Sequence, residues 1–302
     1  MNYLVTGATG FIGRKLVEVL LSRGDSVNYL GRQRSRTMDS RAAFHCWNPN
    51  ELPPLNSVPR LDAVINLAGE PIAQRWTKEV KQRLYDSRVG GTHKLVTAIG
   101  DLPHKPSILI SASAIGYYGD RGDELLTEAS ARGNDFLARL CTDWEREAVR
   151  AAEFGLRVVT LRIAPVLGRG GGALKQMLTP FRLGLGGKLG SGRQWMSWIH
   201  LDDLVRLILY CAEHSTVSGP VNASSPEPVT NAQFTQALAR AVHRPAFFSI
   251  PKFALKVAMG EVSEYLFASA RVMPEAAGRA GFRFEYPKIE ESLQALSIRT
   301  EL

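Results

Sequence analysis

The chain has 302 residues, 45% of them hydrophobic and 22% charged, and its formal net charge is +8. This composition is typical of a globular protein and excludes an intrinsically disordered one. Three widely spaced cysteines without a CxxC pair argue against a disulfide framework and a zinc site, and we predict no metal. The sequence shows neither an apolar run of roughly 20 residues that could cross a bilayer nor a secretory signal. We therefore expect a cytoplasmic protein without a membrane partner.

The positive charge is divided between two regions. One is the short segment 32–36 (RQRSR), and the other is segment 154–201, which contains seven lysines and arginines and no carboxylate. Two such segments around one site favour a small anionic ligand over a nucleic-acid duplex. We therefore predict a small-molecule substrate, anionic in character, and no nucleic-acid partner. A generally basic surface is the alternative.

Strand and helix patterns alternate along most of the chain. Short apolar runs predict strands at residues 2–6, 26–30, 63–68, 107–112, 157–163 and 220–222. Apolar residues at helical spacing predict helices at residues 11–23, 78–99, 135–154, 202–213 and 231–242. This alternation predicts an α/β fold with a doubly wound, Rossmann-type parallel sheet. We assign residues 1–245 to this domain and residues 246–302 to a small, mostly helical C-terminal lobe.

A glycine-rich turn joins the first predicted strand to the first predicted helix. Residues 6–13 read TGATGFIG, with glycines at the spacing GxxGxxG. Gly7 permits a tight turn, Gly10 lets the backbone approach a pyrophosphate, and Gly13 lets helix and strand pack closely. The N-terminus of the helix would also offer free N–H groups to the phosphates. The residues predicted to bind phosphate are Gly7, Thr9, Gly10, Phe11, Ile12 and Gly13. A packing turn without a ligand is the alternative.

The end of the second predicted strand distinguishes NADP from NAD. An NAD site has an Asp or Glu there for the ribose 2′-hydroxyl. This chain has Gly31 and Arg32 instead, and no carboxylate occurs before Asp39. Because a guanidinium forms charge-assisted hydrogen bonds with phosphate, Arg32 is suited to the 2′-phosphate of NADP(H). We predict NADP as the cofactor; a solvated loop arginine is the alternative.

Two further segments are predicted to line the cofactor. Leu67, Ala68 and Gly69 follow a buried strand and leave room for the adenine and the ribose. Glu70 comes next and is either a carboxylate base at the nicotinamide or a group that caps the loop. Arg88 lies on the following helix, either within reach of the cofactor or on the surface.

The chain resembles the extended or atypical short-chain dehydrogenases/reductases, which are relatives of the nucleotide-sugar epimerases and dehydratases. The motifs that carry the resemblance are TGATGFIG (6–13), NLAG (66–69), SASAIGYYG (111–119) and WIHLDDL (198–204). Segments 161–204 and 272–293 resemble one epimerase-like branch that has a short C-terminal domain of unassigned function. The resemblance covers nearly the whole chain. It implies a seven-stranded Rossmann-type sheet, an NADP site and a substrate cleft, with the substrate unassigned.

The resemblance also implies roles for single residues. Pro165 and Val166 match a stretch that contacts the nicotinamide in relatives. Ser113 fits the family's catalytic serine, and Tyr118 resembles a tyrosine that contacts the substrate. The family's Tyr-x-x-x-Lys pair, which transfers protons, is absent here, and Cys141 lies in that region instead.

Few residues are available to replace the missing pair. We predict Ser113 and Tyr118 as catalytic, with aromatic packing as the alternative for Tyr118 and for its neighbour Tyr117. His200 and Cys141 are more readily explained as structural residues. The sequence therefore leaves two functions open. One is an NADP-dependent oxidoreductase or epimerase that acts on a small anionic substrate such as a nucleotide sugar. The mobile, basic segment 169–193 could close over that substrate, and a merely flexible surface loop is the alternative for the segment. The other function is that of a non-catalytic NADP(H)-binding or sensing protein.

Overall fold

The computed structural model describes residues 1–296, and its centre is a parallel sheet of seven strands. The strands are β1 (Asn2–Thr6), β2 (Ser26–Gly31), β3 (Ala43–Cys46), β4 (Ala63–Asn66), β5 (Ile108–Ala114), β6 (Arg157–Ile163) and β7 (Gly219–Ala223). Their order is β3-β2-β1-β4-β5-β6-β7, and every neighbouring pair is parallel. The direction of winding changes between β1 and β4, which is where open α/β sheets bind ligands. The predicted fold class is confirmed.

Helices cover both faces of this sheet. The first seven are α1 (Phe11–Ser22), α2 (Lys78–Tyr85), α3 (Gly91–Gly100), α4 (Phe136–Val149), α5 (Gly172–Arg182), α6 (Leu201–Glu213) and α7 (Asn231–Val242). Buried residues of α1 and α6 share one apolar core with the sheet, and those of α3 and α4 share the core on its other face. Because both faces are covered, all four residues of β4 are buried, as its continuous apolar run predicts.

The predicted elements are confirmed with adjusted ends, and three features were missed. The predicted helix 78–99 contains a π-helical turn, Asp86–Gly90, between α2 and α3. Strand β3 is a short, partly exposed edge strand without apolar alternation, so its residues gave no signal. Helix α5 lies within the basic, glycine-rich segment 169–193, for which we predicted no helix. Its flanking glycines concealed the helical pattern.

The C-terminal segment consists of short helices attached to the main domain. They are α8 (Lys252–Met259), α9 (Ser263–Phe267), α10 (Glu275–Arg279) and α11 (Ile289–Ala295). Phe248–Ile250 pairs with Gly187–Leu189, and Arg271–Val272 pairs with Leu125–Leu126. The buried carboxylate of Asp203 accepts hydrogen bonds from the backbone N–H groups of Glu285 and Tyr286. The division near residue 245 stays a prediction, and residues 297–302 of the predicted lobe lie outside the described part of the chain.

Residues 1–296 were expected to contain neither a membrane-spanning helix nor a metal site. No helix in this part is both long and apolar enough to cross a membrane. Nor does it contain a group of three or more His, Cys, Asp or Glu side chains arranged to hold a metal ion. All three cysteines are free thiols, with Cys46 exposed and Cys141 and Cys211 buried.

Candidate nucleotide-binding and active site

The turn between β1 and α1 has a backbone that only glycine can supply. Gly7 has φ = +66°, and a Cβ added there would lie 2.6 Å from the Leu67 backbone. A Cβ on Gly13 would lie 2.3 Å from the Gly7 carbonyl oxygen, so this glycine lets α1 pack against the turn. No side chain caps the N-terminus of α1 at Gly10, and its first turn has no acidic residue. The free backbone N–H groups at the N-terminus of α1 are therefore suited to binding an anion.

Phe11, the first residue of α1, is enclosed by glycines of the segment that follows β6. A Cβ on Gly168, Gly171 or Gly172 would lie 2.3–2.7 Å from an atom of the Phe11 ring. The segment therefore needs these glycines to lie against Phe11. The same segment is fixed by Pro165, whose carbonyl accepts a hydrogen bond from the Ile199 N–H at 3.1 Å. The structure thus brings the predicted Pro165–Val166 stretch to the side of the glycine-rich turn.

A cleft of about 680 Å³ opens beside the N-terminus of α1. Its lining includes Thr9, Phe11, Arg14, Arg169 and His200. The Arg14 side chain donates to the Thr9 carbonyl at 2.9 Å, which holds a cation beside the glycine-rich turn. The charge along this side of the turn is therefore compatible with phosphate groups.

The end of β2 presents an arginine to solvent. Gly31 ends the strand, and Arg32 follows it as an exposed residue. Asp39, the first carboxylate after the strand, is bound by Arg41 at 2.8 Å. The hydrogen bonds from Arg41 lower the pKa of Asp39 to about 2. The sequence thus has no carboxylate at the end of β2, where an NAD site would carry one. The first carboxylate after the strand, that of Asp39, is paired with Arg41.

Hydrogen bonds between polar side chains join the carboxyl ends of the central strands. The Thr6 hydroxyl donates to Asn66 Oδ1 at 2.6 Å, and Asn66 Nδ2 donates to Ser111 Oγ at 3.2 Å. Thr6 Oγ1 also accepts from the Ala68 N–H at 3.2 Å, which fixes the half-buried residues Leu67 and Ala68. Sequence reasoning missed the roles of Thr6 and Asn66. The available signal was a polar residue at the end of each apolar strand.

Glu70 is engaged within its own loop. Its Oε1 accepts from Gln74 Nε2 at 3.2 Å and lies 3.8 Å from Arg83 Nε. Its backbone N–H donates to the Ser87 hydroxyl, and its carbonyl accepts from Arg88 Nη2 at 2.9 Å. These contacts favour the loop-capping alternative for Glu70 over the role of a base.

Ser113, at the end of β5, is hydrogen-bonded to a buried ion pair. Its hydroxyl donates to Glu145 Oε1 at 2.6 Å. Both oxygens of Glu145 accept from Arg162, each at 2.9 Å. Burial acts to lower the pKa of Arg162, but the Glu145 carboxylate outweighs it and raises that pKa. Sequence reasoning missed both residues, because the pair joins α4 to β6 across 17 positions of the chain.

Cys141 lies one helical turn before Glu145 on the same face of α4. It is buried, and its thiol lies near the Ser113 hydroxyl. Burial, reinforced by the Glu145 charge, raises the pKa of the Cys141 thiol to about 12. The helix face turned towards Ser113 thus carries Cys-x-x-x-Glu, in the region where the resemblance led us to look for Tyr-x-x-x-Lys.

Tyr118 is fully buried and away from the cleft surface. Its hydroxyl donates to Asn222 Oδ1 at 2.7 Å and accepts from Arg162 Nη1 at 3.0 Å. Burial raises its pKa to about 12. The ring of the half-buried Tyr117 packs edge-to-face with the ring of Tyr118. The centre of the Tyr117 ring lies 3.5 Å from the guanidinium carbon of Arg162. The structure therefore brings Ser113 and Tyr118 into one network but does not place Tyr118 where it could reach a substrate, which favours the packing alternative.

His200 also has a structural environment. It is buried, and its Nδ1 accepts from the Asp202 N–H at 3.1 Å as the N-cap of α6. Burial lowers its pKa. This contact agrees with the structural alternative that the sequence left open.

The sheet order and the site together define a Rossmann-type dinucleotide-binding protein, because the glycine-rich turn lies at the switch point between β1 and β4. The family model described as "NAD dependent epimerase/dehydratase family" matches residues 3–224, and "Domain of unknown function (DUF1731)" matches residues 250–296. The chain belongs to the NAD dependent epimerase/dehydratase family.

Similar proteins span almost the whole chain. Epimerase family protein Mb2239 of Mycobacterium bovis is 42% identical over 96% of this chain and 95% of its own length. Epimerase family protein YfhF of Bacillus subtilis is 38% identical over 98% of each. The crystal structure of human epimerase family protein SDR39U1 (isoform 2) with NADPH has a TM-score of 0.89, with 32% identity over 99% of each chain.

Proposed function

We propose that this chain is an NADP(H)-dependent oxidoreductase or epimerase that acts on a small anionic substrate. The observation that carries the cofactor assignment is Arg32, exposed directly after β2 where no carboxylate is present. The human relative crystallised with NADPH supports the same assignment. The cytoplasmic location and the absence of a nucleic-acid partner stay predictions, and one relative from Arabidopsis thaliana is named chloroplastic.

The proposed cofactor site follows the carboxyl edge of the sheet. Around the glycine-rich turn, the backbone N–H groups and the α1 N-terminus would bind the pyrophosphate. Arg32 would bind the 2′-phosphate through charge-assisted hydrogen bonds. The edge after β4 and the stretch after β6 would hold the two nucleoside ends. The proposed residues are Gly7, Thr9, Gly10, Phe11, Ile12, Gly13, Gly31, Arg32, Leu67, Ala68, Gly69, Glu70, Pro165 and Val166.

At the carboxyl end of β5, Ser113 is the residue that we propose to contact the substrate. When bound, the nicotinamide would supply hydride transfer. Ser113 donates its only hydroxyl proton to Glu145. A ligand can therefore contact this hydroxyl by donating a hydrogen bond to the Ser113 oxygen. Glu145 and Arg162 would act as positioning residues, because their ion pair fixes the direction of that hydroxyl.

A second candidate function is a non-catalytic NADP(H)-binding or sensing protein. It is favoured by Cys141 and Glu145, which occupy the helix positions where the resemblance leads one to expect Tyr and Lys, and the Glu145 carboxylate is engaged by Arg162. The thiol, with its pKa raised to about 12, stays protonated at neutral pH. General acid–base catalysis contributes about 10²–10⁴-fold in rate, so its loss would be severe unless another group substitutes.

Calorimetric titration with NADPH and NADH tests the cofactor assignment. We expect NADPH to bind at least tenfold more tightly, because a charged hydrogen bond contributes about 1.5–3 kcal/mol. Equal affinities would contradict the assignment. A substrate screen that follows NADPH absorbance then separates the two functions, since only an enzyme shows turnover.

A further inference from the structure

Arg88 lies in the π-helical turn between α2 and α3, and its side chain is partly buried. Its guanidinium carbon lies 5.3 Å from the centre of the Trp144 ring. On its other side, a Cβ added to Gly69 would come within 3.1 Å of that carbon. Gly69 is therefore small because the guanidinium occupies the adjoining space. π-helical turns of this kind are frequent at functional sites.

No carboxylate pairs directly with the Arg88 cation in the described part of the chain, and Glu70 is the carboxylate whose charge acts on it. The hydrogen-bond acceptors of Arg88 are two neutral carbonyls, Glu70 O at 2.9 Å and Leu84 O at 3.4 Å. Over residues 1–296, no carboxylate oxygen lies within 4.0 Å of its side-chain nitrogens. Burial lowers the pKa of Arg88, which shows that its charged form is poorly solvated. A cation in this situation is costly unless an anion pairs with it, so the site favours a negatively charged ligand.

This cation lies next to the end of β5. Helix α4, whose Trp144 packs against Arg88 and whose Cys141 is on the face turned towards Ser113, contacts both the π-helical turn and β5. Arg88, Cys141 and Ser113 therefore lie around the contact of α4 with the end of β5, in the region where the resemblance places the family's proton-transfer pair. Two features are offered there: a cation with N–H groups still available, and the lone pairs of the Ser113 hydroxyl oxygen.

We propose that Arg88 binds the carboxylate of a small hydroxycarboxylic acid whose hydroxyl group donates a hydrogen bond to Ser113. A guanidinium matches the two oxygens of a carboxylate in a bidentate arrangement. A substrate hydroxyl fits Ser113 better than a carbonyl does, because the serine proton is already donated to Glu145. The inference rests on the proposed function and specifies its substrate class. It gives Arg88 a different role from the cofactor contact predicted from the sequence.

The test uses the full chain saturated with NADPH and titrated with glycolate, the smallest acid of this class. Binding is followed by the ¹⁵N–¹H resonances of the arginine Nε–H groups, of which the Arg88 resonance is identified by its loss in Arg88→Met. We expect glycolate to shift this resonance and to bind at least tenfold more weakly to Arg88→Met. Arg88→Lys, which keeps the charge but not the bidentate geometry, is expected to lie between the two. Arg146→Met, on the exposed side of α4, serves as the matched control and should bind as the wild type does.

Acetate and the variant Ser113→Ala test the hydroxyl contact. Acetate lacks the hydroxyl, so we expect it to bind the wild type several-fold more weakly than glycolate does. The two acids should bind Ser113→Ala with equal affinity. Equal binding of the two acids to the wild type, or equal glycolate affinity in Arg88→Met, would overturn the proposal. If Arg88→Met instead weakens NADPH tenfold, Arg88 is a cofactor ligand and the proposal is wrong. Should the methionine variant fail to fold, Arg88→Lys with wild-type affinity for glycolate would overturn it. A wild type that does not bind NADPH would instead contradict the proposed function.

Discussion

Two regions along the carboxyl edge of the sheet differ in how far they keep the pattern expected of the family. The dinucleotide end is the glycine-rich turn after β1, and the reacting end is the region of Ser113 and α4. At the dinucleotide end, the glycine-rich turn has the positive φ and the close backbone contacts that phosphate binding needs. At the reacting end, α4 presents Cys141 and Glu145, and the latter is tied to Arg162. The comparison indicates that cofactor binding and chemistry are separable in this fold. One end of the sheet edge can keep its ligand geometry while the other changes its functional groups.

The largest expected effect is a loss of stability from a change at the reacting end, with cofactor binding unaffected. Glu145→Ala leaves the buried Arg162 without its carboxylate, which should cost about 3–5 kcal/mol of unfolding free energy. Chemical denaturation measures this loss, and Glu145→Gln, which keeps the hydrogen-bonding shape, serves as the control with a smaller loss. Calorimetry should find NADPH affinity within threefold of wild type for any folded fraction. A loss below 1 kcal/mol would show that the pair is not structural.

The second expected effect breaks the dinucleotide end. Gly7→Ala combines a positive φ with a Cβ 2.6 Å from the Leu67 backbone, so it should reduce both stability and NADPH affinity. Gly24→Ala is the matched control, because Gly24 also has a positive φ but nothing lies within 4 Å of the added Cβ. The control should lose only about 1–2 kcal/mol for the left-handed backbone and bind NADPH normally. If the two variants behaved alike in thermal unfolding and titration, the close contact at Gly7 would be unimportant.

A third change sharpens the comparison within the dinucleotide end. Arg32→Ala should weaken NADPH binding by about 1.5–3 kcal/mol, the contribution of a charged hydrogen bond, and leave NADH binding unchanged. Calorimetric titration of both nucleotides measures the difference. The control is Arg34→Ala, an exposed arginine two positions on. An equal loss in both variants would point to general electrostatic attraction rather than recognition of the 2′-phosphate.

The smallest expected effect is that of Ser113→Ala on the cofactor. Because the phosphates and adenine are proposed to bind at the other end, NADPH affinity should change by less than about threefold, as fluorescence titration can show. Any turnover found by substrate screening should fall by about 10²-fold, the scale for a positioned polar group in a transition state. Full turnover in the variant would mean that Ser113 serves packing only.

Local patterns were readable from the sequence, and contacts between distant residues were not. The glycine-rich turn was recognised because its spacing, its strand and its helix all lie within residues 2–22. The Glu145–Arg162 pair and the orientation of Tyr118 depend on how α4, β6 and β7 pack, which no local pattern encodes. Edge strand β3 was missed because partly exposed strands lack a continuous apolar run.

The contact of Phe11 with Gly168, Gly171 and Gly172 joins the glycine-rich turn to the segment leading into α5. Phe11 is also the first residue of the helix whose N-terminus faces the proposed phosphates. A ligand that fixes Phe11 therefore restrains the motion of this segment, and a ligand that orders the segment restrains Phe11. Thermodynamic reciprocity requires the two affinities to change by the same factor. The order in which cofactor and substrate bind would therefore change which singly bound complex forms first, but not the total free energy of binding both.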